Sequence, residues 1–425
     1  MTLLLALILT AAFAFQQLTT PIYTPGKAYP IDPTKPSIVI THIPNNFGGI
    51  EGHIMQLYKR LVASGYPATL VMGDCPQLTQ QLDHEQLSYY VLPYMRRLGL
   101  LCRRLSYVVL ERELQPICTQ HQARIIHANS YHDAIAARAV ARTLGIKSAV
   151  TLHGHWAPTP TGQAPHYCID NLDAVVCVNP FTLNDYVAAR DARKKPTNIT
   201  CWIPPLFNVE KFEAFTPMSN DRTQYFKNSF GLSVDHEPVI TMVANFYTDP
   251  MQKNHGLLIK AVNILVHQKK IPLKVILAGS AETGSNKRRL QELQQQVTHY
   301  KLDANIHFLG FVENAAELMH HSDIVMLSSA REGMPLVLVE AGFLQRPTVG
   351  ASDTGTAVII NHEKTGLIFK NNDVNDLVLQ LERLIQDPAW AQQLGRQAHA
   401  YVNEKFHPDR SFAQYEDVYA QVMRS

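Results

Sequence analysis

The chain has 425 residues, 46% of them apolar and 17% charged, with a formal net charge of +2. That length exceeds what one hydrophobic core usually absorbs and implies two domains. So small a net charge, with no basic stretch interleaved with aromatics, argues against a nucleic-acid partner. The six cysteines, Cys75, Cys102, Cys118, Cys168, Cys177 and Cys201, show neither C-x-x-C nor zinc spacing and read as buried free thiols in a reducing compartment.

In chain order, Leu3 to Phe15 is almost wholly apolar, with no Lys or Arg before it and only a faint cleavage signature at Ala12-Phe13-Ala14. It falls short of the ~20 residues a spanning helix needs. It reads as an uncleaved membrane-associating anchor, with a secretory signal as the alternative. Pro21, Pro25, Pro30, Pro33 and Pro36 then predict a stiff linker, so that residues 1–36 precede the first domain. Ser37 to Ile43 is a β-branched strand run, followed by a turn containing Gly48 and Gly49 and then by a helix. Further strands are expected at 68–72, 125–127 and 148–152, which with intervening helices implies a parallel sheet. The last of these leads into His153-Gly154-His155-Trp156, placing His153 at a carboxyl strand end, as either a local hydrogen-bonding residue or a site residue. Between them, Tyr94 to Leu105 carries Arg96, Arg97, Arg103 and Arg104 on one helical face among apolar residues. That face suits either plain solvation or docking on an anionic lipid surface.

Ile203-Pro204-Pro205 marks the crossing to a second α/β domain. Its first strand, Pro238 to Ala244, ends at Asn245, and Lys253-Asn254-His255 precedes an amphipathic helix from Gly256 to His267. Ile324 to Leu327 suits a buried parallel strand, and Ser328 to Pro335 then turns into a helix with Pro335 at its first position. Such a helix start binds anions at the carboxyl edge of a sheet. Glu340 lies about 7.5 Å along the axis from Pro335 at ~1.5 Å per residue, roughly a phosphate-to-ribose distance. Glu332, ahead of the helix, can reach the opposite end of a diphosphate bound there. Two glutamates eight apart also occur on ordinary helix surfaces, and a glycosidase-like pair is a further reading. In that case, however, the carboxylates would flank one bond with nothing between them.

The run Glu332-Gly333-Met334-Pro335-Leu336-Val337-Leu338-Val339-Glu340-Ala341 resembles the E-x7-E motif of retaining GT-B glycosyltransferases, family 4. The resemblance continues through Arg346-Pro347-Thr348-Val349-Gly350, Gly355-Thr356 and Thr365-Gly366-Leu367-Ile368. It implies an α/β GT-B fold, two Rossmann-like domains facing across a cleft. An acceptor-side domain would span 37–205, a nucleotide-sugar domain 206–400, and a helix in 401–425 would return to the first domain. It implies an enzyme that moves a sugar from a nucleotide-sugar donor to a glycan or lipid-linked acceptor with retention of configuration. Such an enzyme would be cytoplasmic, peripheral at an anionic membrane, and without a cofactor.

Residue by residue, the resemblance implies that Glu332 binds the transferred sugar, that His153 approaches that sugar or its phosphate, and that Lys253 holds the diphosphate. Gly48 and Gly49 would underlie sugar and phosphates. Phe311 and Val312 would flank the base, Arg331 and Gly333 to Val337 the phosphates, and Glu340 the ribose. Asn245 stands where the family pattern has an arginine, which removes an expected cation, and Arg331 is a candidate substitute. The sequence contains no D-x-D, so a metal bridging the diphosphate is not expected. Two alternatives accompany this reading: a two-lobed periplasmic-type binding protein, and a nucleotide-sugar epimerase of the same fold whose acid–base groups have no evident place here.

Overall fold

A computed structural model describes residues 21–43, 48–93, 95, 103–154, 169–195, 197–219, 221–281, 283–352 and 355–425. The chain divides into two compact units, Met1–Phe207 with Pro408–Ser425, and Asn208–His407.

The first unit is built on β1 (Ile22–Thr24), β2 (Ile38–His42), β3 (Ala68–Gly73), β4 (Tyr89–Leu92), β5 (Ile125–Ala128), β6 (Lys147–Leu152), β7 (Ala174–Cys177) and β8 (Ile199–Trp202). Their order in the sheet is β1-β4-β3-β2-β5-β6-β7-β8, and only β1 runs antiparallel to its neighbour. Helices cover both faces, which is why the strands are near-continuous apolar runs rather than alternating ones. Along β2, Ile38 and Ile40 join Ile54, Leu57 and Tyr58 of the helix Gly49–Ala63. Val39 points the other way, into a core with Ala134, Ala137 and Val140 of the helix Tyr131–Leu144. The C-terminal helix Pro408–Arg424 adds Phe412, Tyr415, Val418, Tyr419 and Val422 to the first of these cores.

The proline-rich stretch differs from the linker expected of it. Ile22, Tyr23 and Thr24 pair with Val91, Tyr90 and Tyr89. Beyond them Lys27 N–H donates to Gln86 O (2.8 Å), Asp32 N–H to Gly65 O (2.9 Å) and the Tyr29 hydroxyl to Ala68 O (3.0 Å). Proline cannot donate to a ladder, but an edge strand needs donors on one side only, so prolines flanking β1 are tolerated. Leu3 to Phe15, Arg96 and Arg97 lie outside the described residues. Among the described residues no helix is long and apolar enough to cross a membrane. Cys75, Cys118, Cys177 and Cys201 are free thiols, and burial pushes Cys118 and Cys177 up to about 12, well away from thiolate chemistry.

The second unit carries β9 (Val239–Val243), β10 (Lys274–Ala278), β11 (Ile306–Gly310), β12 (Ile324–Leu327), β13 (Thr348–Ala351) and β14 (Leu367–Phe369). These form one parallel sheet in the order β11-β10-β9-β12-β13-β14. The strand order reverses between β9 and β12, as it does between β2 and β5 in the first unit. Such reversals open a crevice at the carboxyl edge, where ligands of these sheets bind. The helix expected from Gly256 to His267 is α-helical over His255–Asn263 and closes in a π-helical turn, Ile264–Gln268.

Candidate active site

At the carboxyl edge of β9 and β12, the segments that follow the two strands are tied together by backbone and hydroxyl bonds. Asp249 Oδ1 accepts the Met251 N–H (2.9 Å) and so caps the short helix Pro250–Lys253. Asn254 then takes a left-handed conformation (φ 50°) and ends it. Ser328, the residue after β12, is fully buried, with its hydroxyl 3.0 Å from the carbonyl oxygens of both Lys253 and Asn254. Two residues on, Ala330 N–H donates to Met251 O (3.0 Å). The loop after β12 thereby holds the turn that carries Lys253.

These ties bring Lys253 Nζ to 2.6 Å from Glu332 Oε1, with the two side chains 20% and 12% exposed. Being mostly shielded, this pair is screened less than a surface one. Gly355 lies against the same loop: a Cβ there would sit 2.7 Å from the carbonyl oxygens of Glu332 and Gly333, so no larger residue fits. Beyond Glu332 the chain departs by one residue from the expected helix start. Pro335 is the N-cap with ψ 95°, and the helix runs Leu336–Phe343. Gly333 and Met334 therefore lie in the turn, and the N–H groups of Leu336 and Val337 open the helix, where first-turn donors lack partners within the helix itself.

Glu340 sits one turn inside this helix. Burial pushes its carboxyl up to about 7, against the opposing pull of Lys211. Arg331 pairs with Asp249 Oδ2 at 2.7 Å. Asn245, at the end of β9, is engaged locally: its Oδ1 accepts the Ser280 N–H (2.9 Å) and fixes the turn after β10. That turn approaches so closely that a Cβ on Gly279 (φ 158°) would lie 2.1 Å from Ala244 O. Phe311 is exposed just past β11, and Val312 packs partly into the core beside it.

In the first unit, Gly48 precedes the helix Gly49–Ala63 in an extended conformation (φ −171°). His155 and Trp156 lie outside the described residues. His153 follows β6, and its ring is 3.4 Å from Asn129 Oδ1 and edge-on to His53 at 4.9 Å between centroids. With Asn129 Oδ1 as the acceptor, the His153 proton sits on Nε2 and Nδ1 is left as an acceptor. Burial, reinforced by His53, His42 and His127, holds the His153 pKa well below its ordinary value, so the ring is neutral.

Sequence reasoning missed the cluster beside it. His42 at the end of β2 donates from Nε2 to Glu51 Oε1 (3.0 Å), and its Nδ1 is 3.7 Å from Asp133 Oδ2, which also accepts the Ile43 N–H (3.2 Å). Burial works to lower the His42 pKa, but the Asp133 and Glu51 carboxylates more than reverse it and raise it to about 9. The imidazolium thus joins β2 to the starts of the helices Gly49–Ala63 and Tyr131–Leu144. Asp249 and Ser328 were also missed. A capping aspartate ahead of Pro250 was a readable signal, whereas nothing local to Ser328 points at Lys253.

Two Rossmann-like units, one with a cation, a carboxylate and a helix start at its strand reversal, define a two-domain α/β enzyme of GT-B architecture. Residues 47–204 match the family model Glycosyltransferase Family 4, and residues 226–401 match Glycosyl transferases group 1. N-acetyl-alpha-D-glucosaminyl L-malate synthase of Bacillus anthracis is 24% identical over 326 residues, 75% of this chain and 80% of that protein. UDP-Gal:alpha-D-GlcNAc-diphosphoundecaprenol alpha-1,3-galactosyltransferase of Escherichia coli is 22% identical over 365 residues, 80% of this chain and 85% of the other. Among solved structures, Anabaena Alr3699/HepE in complex with UDP-glucose superposes with a TM-score of 0.76 at 19% identity, covering 91% of this chain and 100% of that one. The chain belongs to the GT-B glycosyltransferases of group 1, family 4. It is a glycosyltransferase, and the binding-protein and epimerase alternatives give way to that.

Proposed function

We propose that this glycosyltransferase moves a sugar from a nucleotide-sugar donor to a glycan or lipid-linked acceptor, with retention at the anomeric carbon and without a metal or other cofactor. The observation that carries the donor reading is the Lys253–Glu332 pair beside the start of Leu336–Phe343, at the reversal of strand order. Lys253 and the N–H groups of Met334, Leu336 and Val337 take the diphosphate, with Gly333 leaving room for it and Pro335 setting the turn into the helix. Glu332 takes the sugar, Glu340 the ribose, and the segment at Phe311 and Val312 the base. From the first unit, neutral His153 hydrogen-bonds the sugar, and Gly48 and Gly49 let the backbone approach the phosphates. The UDP-glucose held by the Anabaena protein and the diphosphoundecaprenol named for the Escherichia coli relative support this choice of donor and acceptor.

In the reaction the bond from the anomeric carbon to the diphosphate oxygen breaks. The acceptor hydroxyl adds on the same face, and its proton passes to the departing diphosphate. Glu332 stabilises positive character at the anomeric carbon, while fixed cations and N–H donors meet the charge that develops on the leaving group. The absence of a D-x-D sequence supports a metal-independent site. Incubation with UDP-, GDP- and ADP-sugars, followed by NMR of the released sugar, tests both points. Slow hydrolysis of one donor with retained configuration is expected. No turnover of any donor would sink the donor reading, and inversion would sink retention alone.

We also place the reaction at an anionic membrane on the cytoplasmic side, supported by the paired arginines at 96–97 and 103–104. Salt-sensitive pelleting with anionic liposomes is expected, lost on charge reversal of these four; unchanged pelleting would end the idea.

A further inference from the structure

At the carboxyl edge of the first sheet, the residues that directly follow β2, β3, β5, β6 and β7 are Ile43, Asp74, Asn129, His153 and Val178, and none is Lys or Arg. Cations stand instead at the amino edge, with Lys35 ahead of β2, Arg124 directly before β5 and Lys147 at the start of β6. Two helices nevertheless begin at the carboxyl edge, Gly49–Ala63 and Tyr131–Leu144, where an anion would ordinarily find unpaired N–H groups and a positive dipole end. Both starts are taken by the chain's own carboxylates. Glu51 stands in the first turn of one helix and Asp133 in the first turn of the other, and both are buried. His42 lies between them and is charged at neutrality. Two carboxylates against one imidazolium leave a single negative charge, and the two helix starts, each worth about half a positive charge, absorb it. His53, His127 and His153 are held below their ordinary pKa by burial and add no charge. This cluster leaves no positive charge over for a ligand.

We propose that the acceptor meets this edge through a neutral, hydroxyl-bearing part, a sugar ring with no carboxylate or phosphate beside the reacting hydroxyl. The proposal rests on the transferase reading above, with the first unit on the acceptor side, and narrows it: any charged part of the acceptor, a lipid diphosphate included, lies off this edge. An acid held there would face buried, weakly screened carboxylates with no cation to spare, and removing its charge from water without a partner is costly. A sugar hydroxyl meets no such penalty, because it both donates and accepts. Gly48 and Gly49 accordingly give the donor phosphates room, not charge.

Two measurements on the full chain test this. With whichever donor the protein hydrolyses, nucleotide release above the hydrolysis rate is compared for neutral methyl glycosides, for a hydroxy acid, L-malate, and for inositol 3-phosphate. Anion binding is read separately from the imidazole NMR signals of His42 near its ordinary pKa of 6.5, titrated with L-malate and with inorganic phosphate. Any stimulation should come from the neutral glycosides, and neither anion should move the His42 signals. Asp133→Asn keeps the shape and still accepts the Ile43 N–H, but it leaves one positive charge unmatched. Phosphate should then bind at least about tenfold more tightly, by the usual weight of an anion at a helix start with a cation beside it. Glu51→Gln should do the same and serves if the first variant fails to fold. Stimulation by either anionic acceptor, or movement of the His42 signals by L-malate or phosphate in the natural protein, overturns the inference whatever the glycosides do. So does a folded Asp133→Asn or Glu51→Gln protein that takes up phosphate no better than the natural one. If no donor is hydrolysed, the donor reading fails, and the His42 titration still decides this one.

Discussion

The two carboxylates of the E-x7-E run occupy different electrostatic surroundings, and their variants should differ in kind. Glu332 is ion-paired with Lys253 and assigned to the reacting sugar. Glu332→Gln should lower the saturated rate a hundredfold or more, since charge stabilisation of this type is felt most in the transition state. Nucleotide affinity should survive. Glu340→Gln keeps the shape and exchanges a charge-assisted bond for a neutral one, which costs about 1.5 kcal/mol, or ~10-fold in donor affinity, with the saturated rate little changed. Steady-state kinetics with nucleotide calorimetry separates the two, and equal small effects at both positions would undo the assignment. Glu340 adds a pH signature. With its carboxyl pushed up to about 7, roughly half is protonated at neutrality in the empty site, and only the ionised form accepts from two ribose hydroxyls. Nucleotide affinity should therefore rise as pH climbs through 7 and stay flat in Glu340→Gln. A natural protein with flat affinity from pH 6 to 8 would contradict this.

At the scale of elements, the site depends on turns more than on strands. β12 and the helix Leu336–Phe343 are short, and the loop between them carries Arg331, Glu332 and Gly333. What steadies that loop is the Ser328 hydroxyl against the carbonyls of Lys253 and Asn254, together with the Ala330–Met251 bond. Ser328→Ala removes a buried donor from two carbonyls. It should cost about 1 kcal/mol of stability, yet lower kcat/KM by more than tenfold because Lys253 is no longer held against Glu332. Denaturation midpoints and kinetics on the same preparation test the disproportion; parallel small losses would make Ser328 a packing residue only.

For the whole molecule, pH bears on the first unit from both sides. His42 is raised to about 9, so its stabilisation is fully present below its ordinary value of 6.5 and fades as pH rises through 9. A shift of that size corresponds to about 3 kcal/mol. His53 and His127, buried and lowered to about 3, act the other way: the unfolded chain takes up protons first, and stability falls as pH drops below 6.5. Stability should thus peak near neutrality, with His42→Gln flattening the alkaline limb measured by denaturant unfolding from pH 6.5 to 9. An unchanged alkaline limb in that variant would show that His42 does not carry it. The acid limb concerns the C-terminal helix. His127 Nδ1 meets the Tyr419 hydroxyl at 2.7 Å, Thr151 links His127 to Tyr415, and Tyr415 reaches His53.

The sequence by itself determined the elements and their class. The runs at 37–43, 68–72, 125–127 and 324–327 announce buried parallel strands, and the turn through Gly333 and Pro335 announces a helix start, because strand pattern and turn chemistry are local properties. The same locality explains the one-residue error at Pro335 and the misreading of β1, whose three residues become a strand only once β4 is beside them. Tertiary structure alone decided the partners. Lys253 meets Glu332 across 79 residues, His42 meets Asp133 from another helix, and Tyr419 meets His127 across 292 residues. It also decided that Asn245 serves the Ser280 backbone and that Glu340 titrates near neutrality. Charge pairing and burial depend on which surfaces the sheets bring together, and no window of sequence contains both sides of such a contact.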